Sequence, residues 1–454
     1  MTASRAAELR ARILGLVTEF WAEQHAGRPF DPDSDPVRYA GRVFGAEELT
    51  AVVDAGLDFY LTASRFTEEF EARFADLLGV SDALFVNSGS SANLVAVSAL
   101  TSPRLGERRL RPGDEVVTVA AGFPSTVAPI VQNGLVPVFV DVRLSDYNVD
   151  PDALRAAIGE RTRAVALAHT LGVPFDLDAV MRVVEAHDLW LIEDNCDALG
   201  SRYRGRLTGT FGHLATSSFY PAHHITTGEG GMVVTDDEEL ARVARSLRDW
   251  GRDCYCAGGE NNTCGKRFSQ QFGTLPFGYD HKYVYSHLGY NLKATDLQAA
   301  IGCAQLDRLE AFGAARRANH AWLLESLEPY EDRLVLPRAP AHTDPSWFCF
   351  VITVREGAGF TRGELTAFLE ANRVETRNLF SGNLLRHPAF DGVSYRVAGL
   401  LSVTDEIMER TFFVGVYPGL DEARLDHVAG VFRRFMAGER VGPGGSGSSA
   451  VDGG

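Results

Sequence analysis

A chain of 454 residues exceeds the roughly 250–300 residues at which a single hydrophobic core stops growing, so it predicts one large and one smaller domain. A hydrophobic share of 45% and a charged share of 23% exclude a disordered or fibrous protein. The net charge of −16 repels nucleic-acid phosphates and anionic lipid, so neither is an expected partner, and a phosphorylated ligand must find local donors.

In chain order, residues 5–25 read as an amphipathic helix within an N-terminal helical segment, 1–45, and two more helices follow over 47–60 and 68–79. From Ala83 to Thr235, β-branched runs such as DEVVTVA and VPVFVDV alternate with amphipathic stretches such as DAVMRVVEAHD. This predicts a large α/β domain over 46–315, built on a mainly parallel sheet of seven strands. Between Arg248 and Tyr290 the period disappears over a length too great for a plain connector, and such loops are usually functional. A long helix is expected near Lys293–Ala315. From about Pro337 the pattern mixes strand WFCFVITV, helix TRGELTAFLEANRV, strand TFFVGVYP and helix DEARLDHVAGVFRRFMAG, a smaller α+β domain over 316–438. The Gly/Ser-rich stretch 439–454 reads as a disordered tail. The start lacks a basic-then-apolar leader and no apolar run reaches roughly 18 residues, which predicts a cytoplasmic protein without a membrane span.

Three motifs suggest a site. In VNSGSSANL a strand runs through Ser88-Gly89-Ser90-Ser91 into a helix, gathering free N–H groups and hydroxyls that suit a phosphate; a serine cap is also common with no ligand at all. In LWLIEDNCDALG an apolar run ends in Glu193-Asp194, which puts a carboxylate where α/β sheets build their sites, able either to hold a protonated ring nitrogen or merely to cap a turn. Phe123 in AAGFPST follows another strand and suits either a stacked aromatic ring or the core.

Together with SFYPAHHITTGEGG and GYNLKATDLQAA, these motifs occur in the order and spacing of the DegT/DnrJ/EryC1/StrS sugar aminotransferase/dehydratase family, and the chain resembles that family over most of residues 45–435. The resemblance implies the fold-type I architecture of pyridoxal phosphate (PLP) enzymes and a homodimer with shared active sites. It further implies that Gly89, Ser90 and Ser218 bind the cofactor phosphate, Phe123 stacks on the pyridine ring, and Asp194 pairs with its nitrogen. Asn291 would reach a partner's phosphate, and Asp197 would stand where transaminases carry Gln.

Transaminating relatives carry a lysine five residues before the first Gly of GEGG; here that position is His223. Lysine forms a Schiff base with the cofactor and shuttles its proton. Imidazole cannot form that bond but remains a competent acid and base near neutral pH. The cofactor is therefore expected to be held non-covalently and to work as pyridoxamine phosphate (PMP). His224 is the adjacent alternative, Tyr220 replaces a usual His, and by family position Phe348 lines the sugar pocket.

Cys196, Cys254, Cys256 and Cys264 form a C-x57-C-x-C-x7-C set. Thiolate quartets hold zinc or iron–sulfur clusters, and a cluster at Cys196, two residues beyond Asp194, would lie near the cofactor ring. The set resembles that of hexose 3-dehydratases carrying a [2Fe-2S] cluster beside PMP. That resemblance implies a nucleotide-diphosphate 4-keto-6-deoxyhexose (or 2-deoxy analogue) substrate, loss of its C3 hydroxyl, and electrons from a reductase. Cys303 and Cys349 fall in regular helix and strand patterns as small buried hydrophobes.

Overall fold

The computed structural model describes residues 3–25, 27–256 and 262–440; the expected tail lies outside them from residue 441 on. Helix α1 (Ala3–Gln24) lies on α2 (Ala46–Asp58), where Arg10 bridges Asp54 and Asp58. After α3 (Arg65–Leu78) come β1 (Asp82–Val86), α4 (Gly89–Leu100), β2 (Glu115–Val119), α5 (Pro124–Gln132), β3 (Val136–Val140), α6 (Pro151–Ala157), β4 (Thr162–Ala168), α7 (Leu177–Ala186), β5 (Trp190–Asp194), β6 (Leu214–Ser218), β7 (Gly231–Thr235) and α8 (Glu238–Arg248). The strand cores are β-branched and buried on both faces, as a sheet sandwiched between helices requires. One face packs on α6 and α7 through Leu154, Leu177 and Val180, the other on α4 and α8 through Val95, Leu240 and Val243.

The sheet order is β1-β7-β6-β5-β4-β2-β3-β11, with β7 antiparallel to both its neighbours and every other pairing parallel. Seven strands match the expected runs. The eighth, β11 (Arg396–Val397), joins the edge of β3. It is two residues long and has no alternating pattern to read; Arg396, bonded to Glu115 at 2.6 Å, anchors it. The register sets Ala168 beside Asp194 and Asp194 beside Thr216, so the carboxyl ends of β4, β5 and β6 meet where parallel sheets bind ligands.

The helix expected near 293–315 is two helices, α9 (Asp296–Leu306) and α10 (Leu309–Leu327). The break falls at Arg308, whose guanidinium is drawn to Glu47 and Glu48 at 2.6 and 2.8 Å. A second sheet, ordered β8-β9-β12-β10, contains β8 (Leu334–Val335), β9 (Cys349–Val354), β10 (Arg377–Asn378) and β12 (Thr411–Gly415). It is covered by α10, α11 (Arg362–Ala371) and α13 (Glu422–Met436) through Leu323, Phe368 and Phe432, with α12 (Ser402–Arg410) packed at its side. A capping box between Thr361 and Glu364 starts α11, a motif worth about 1 kcal/mol.

The loop after α8 folds back on itself: the Asp253 amide donates to Val284 and Arg252 bridges Tyr285. Gly251 holds φ at 81°, and a Cβ there would lie 2.0 Å from the His287 carbonyl, so a side chain is excluded. No described helix is long and apolar enough to cross a membrane.

Candidate active site

A cavity of about 720 Å³ opens at the carboxyl ends of β4, β5 and β6 and is closed on its far side by residues of the second sheet. One end of it is the N-terminus of α4. Ser88 caps the helix by accepting from the Ser91 amide at 3.0 Å, and Gly89, Ser90 and Ser218 line the cavity beside it. A Cβ on Gly89 would approach the Ser218 Cβ to 2.5 Å. Glycine therefore lets backbone amides and the Ser218 hydroxyl converge on one point, an anion site of helix amides and hydroxyls without a cation.

Asp194, at the end of β5, is 5% exposed. Its Oδ2 accepts from Asn93 Nδ2 at 2.8 Å and Thr126 Oγ1 at 2.7 Å, and its Oδ1 from the Cys196 amide at 3.2 Å. Thr216 Oγ1 in turn donates to Asn93 Oδ1 at 2.6 Å. All of these donors are neutral, so they orient the carboxylate without cancelling its charge. Beneath it, Glu193 is fully buried and accepts from His169 Nε2 and the amides of Gly209, Phe211 and Gly212. Burial disfavours its charge, but the His169 contact and these amides outweigh burial and hold its carboxyl below the usual range. Neither Asn93 nor Thr126 was among the site residues expected from the sequence, although they lie within the VNSGSSANL and AAGFPST motifs.

His223 lines the cavity with its ring tilted at 52° against Phe348. Its Nδ1 is buried without a hydrogen-bond partner, 3.5 Å from Asp197 Oδ1, which leaves Nε2 as the nitrogen open to the cavity. Burial, with Arg316 as a lesser cause, overcomes the pull of Asp194 and lowers the imidazole to about 4. Asp197 is pushed up to about 8 by burial and by the charge of Asp194. Arg316, also unforeseen, is fully buried and donates to the carbonyls of Trp347, Phe348 and His223, so it holds the His223 backbone in place.

Phe123, Tyr220 and Phe348 all line the cavity, and Phe123 is 53% exposed, edge-on to Phe380, with a ring face free for stacking. His224 does not join them. It is 2% exposed, and its Nε2 bonds Ser346 Oγ at 2.8 Å; the expectation that it lines the substrate pocket is corrected, because the chain turns the two adjacent imidazoles to opposite sides. Asn291 is also absent from this chain's cavity and accepts from Lys293 Nζ at 2.8 Å.

No described lysine lines the cavity, so a cofactor has no amine to bond to covalently. The fit to PLP or PMP rests on the α4 cradle, the free face of Phe123 and the Asp194 carboxylate held by neutral donors. The four cysteines are not drawn together among the described residues of one chain. Cys196 lines this cavity, beyond the end of β5, its thiol pushed well up by burial and by Asp194. Cys254 instead lines a second cleft with Asp82, Arg104 and Arg245. Asp82 begins β1, whose five residues put roughly 17 Å between the two ends of the sheet. Cys264 lies 3.7 Å from His281 Nδ1. Among the described residues no group of three His, Cys, Asp or Glu side chains is arranged to hold a metal.

Residues 44–433 match the DegT/DnrJ/EryC1/StrS aminotransferase family. The chain belongs to that family. It is similar to the lipopolysaccharide biosynthesis protein RfbH of Salmonella typhimurium, 54% identical over 428 residues covering 94% of this chain and 98% of that protein. It is also similar to the dTDP-4-dehydro-2,6-dideoxy-D-glucose 3-dehydratase of Saccharopolyspora spinosa, 55% identical over 430 residues covering 95% and 93%. Among solved structures, GDP-4-keto-6-deoxymannose-3-dehydratase with a trapped PLP-glutamate geminal diamine superposes with a TM-score of 0.78 at 26% identity, covering 88% of this chain and 100% of that one.

Proposed function

We propose that this chain is a PMP-dependent 3-dehydratase acting on a nucleotide-diphosphate 4-keto-6-deoxyhexose or its 2-deoxy analogue. The observation that carries the reading is His223, lining the same cavity as Asp194 where no described lysine does. The substrate class follows the names of the Saccharopolyspora spinosa 3-dehydratase and of the GDP-4-keto-6-deoxymannose-3-dehydratase structure above. Gly89, Ser90 and Ser218 would hold the cofactor phosphate, Phe123 its ring face, and Asp194 its ring nitrogen. Asn291 would serve the partner's phosphate in a homodimer. The bound cofactor supplies an amine that condenses with the sugar ketone and a ring that takes up electrons.

Within that site His223 Nε2 would accept the proton from the cofactor's C4′ and deliver it to the departing C3 hydroxyl, which would leave as water. Asp194 would keep the cofactor's ring nitrogen protonated, which favours electron uptake by the ring. Tyr220 and Phe348 bound the sugar and keep solvent from its C3 side.

Asp197 sets the basicity of this proton acceptor. As it ionises near pH 8, a carboxylate forms beside Nδ1 and stabilises the proton arriving at Nε2, the logic of a carboxylate–imidazole dyad. In the free enzyme, kcat/KM for water loss is therefore expected to climb about tenfold as pH rises through about 8, while His223, lowered to about 4, stays deprotonated over the whole range. Asp197→Asn should flatten that limb. A rate profile that keeps its slope in the variant would remove Asp197 from this role.

Replacing the C3 hydroxyl with hydrogen consumes two electrons. The C-x57-C-x-C-x7-C spacing supports a [2Fe-2S] centre fed by a reductase as their source. The separation of Cys196 from Cys254 within one chain favours a second reading, in which glutamate returns the cofactor to its amine form. One anaerobic experiment tests both: the purified protein is given CDP-, GDP- and dTDP-linked 4-keto-6-deoxysugars with either a reductase or glutamate, products are identified by mass, and iron and sulfide are assayed. A 3-deoxy-4-keto product is expected from at least one sugar; transamination at C4 in its place would refute the dehydratase reading. Turnover with glutamate in iron-free protein would remove the cluster.

A further inference from the structure

We propose that Arg377, stacked on Tyr39 across the cavity from the cofactor cradle, binds the diphosphate of the nucleotide-linked substrate. The inference rests on the dehydratase reading above and adds to it the group that recognises the substrate's charge. Asp194, Asp197 and Glu229 all line the cavity, and Arg377 is the one described Lys or Arg side chain that does. In a chain of net charge −16, a doubly charged ligand is repelled from such a site unless a local cation meets it.

The position of Arg377 suits that task. Its backbone is fixed by pairing with Phe413 in the second sheet, whereas the cofactor phosphate is met by the α4 amides of the first. The guanidinium carbon sits 4.3 Å from the centre of the Tyr39 ring, and that ring is braced edge-on by Phe413. Stacking keeps the planar fork flat and leaves its edge N–H groups pointing outward. Nη1 donates to the Thr376 carbonyl at 2.7 Å, while Nη2 has only a long contact to Glu375 at 3.9 Å. The side chain is 48% exposed, so donors remain free for a bidentate contact to phosphate oxygens. The buried Arg316 cannot serve, since three backbone carbonyls take up its donors.

The test is calorimetric titration of the PMP-loaded full chain with CDP, GDP, dTDP and inorganic pyrophosphate, in wild type, Arg377→Ala and Arg377→Lys. Wild type is expected to bind at least one nucleoside diphosphate, more weakly as salt is added. Arg377→Ala should weaken binding by about tenfold or more and lose most of the salt dependence, with Arg377→Lys between the two because a point charge replaces a fork. In turnover, KM should rise by a similar factor while kcat stays within about threefold, since the contact is remote from the reacting carbon. Arg377 lies on an exposed two-residue edge strand, and an unchanged thermal midpoint will confirm that the variants fold. Wild-type affinity and KM in Arg377→Ala would overturn the assignment and leave the dehydratase reading standing. A wild-type protein that binds none of the four ligands would overturn the dehydratase reading itself, and this assignment with it.

Discussion

In the His223→Asn protein, loss of water from the sugar is expected to fall about 10²–10⁴-fold, the range that a positioned general base supplies, while PMP stays bound. The separation of the two effects follows from the site. In the proposed site the start of α4 and Ser218 would hold the cofactor phosphate and Asp194 its ring nitrogen; none of these makes a hydrogen bond to the His223 side chain. The backbone of His223 is held by its own contacts, its amide donating to Tyr220 and its carbonyl accepting from Arg316, so an asparagine of similar size leaves the loop as it is. What disappears is the one imidazole that lines the cavity among the described residues. His224 cannot take over, because it is buried behind the site on Ser346. The measurements are single-turnover water loss and wash-out of label from the cofactor's C4′ position. Retained wash-out in the variant would assign the proton transfer to another group.

The difference between His223 and His224 marks the limit of what the chain discloses before it is folded. Register against the lysine motif singled out His223, and the structure places it on the cavity; the same register is silent on where its neighbour points, since one peptide bond reverses a side chain. The seven long strands were legible because each is a β-branched run bounded by turn residues, and a parallel sheet buried on both faces demands that composition. Strand β11 and the break between α9 and α10 were not. Each depends on an arginine and a distant carboxylate, Arg396 with Glu115 and Arg308 with Glu48, pairs that leave no local pattern. The cysteines make the same point from the other side. Spacing along the chain shows that thiols recur, but it carries no information about which end of a sheet each one reaches, and Cys196 and Cys254 lie in different clefts. Asp194 was legible as a carboxylate at the end of an apolar run. The network that orients it comes from positions 101 and 68 residues away, inside the VNSGSSANL and AAGFPST motifs, whose local pattern does not show that these side chains turn to Asp194.

That network determines the effect of changing Asp194. Asp194→Asn is expected to slow water loss by about 10²–10³-fold, the loss typical when one preorganised electrostatic partner of the reacting system is removed. Asn93 Nδ2 and Thr126 Oγ1 both donate to the same oxygen, Oδ2, and the Cys196 amide donates to Oδ1. An amide at 194 must offer its single oxygen to one side or the other. If the oxygen stays with Asn93 and Thr126, the –NH₂ group replaces an acceptor next to the Cys196 amide and faces the ring nitrogen as a donor. A donor can share a neutral nitrogen's lone pair but cannot keep a proton on it, so the ring loses the charge that lets it draw electrons from the substrate. Turning the amide over leaves Asn93 and Thr126 without an acceptor in a buried site, at a cost of about 1–3 kcal/mol for each donor, so the first arrangement prevails. Loading the variant with cofactor methylated at the ring nitrogen, which carries a permanent positive charge, should then restore much of the lost rate. Failure of that rescue, with cofactor bound and the fold intact, would mean that Asp194 acts by position and not by charge.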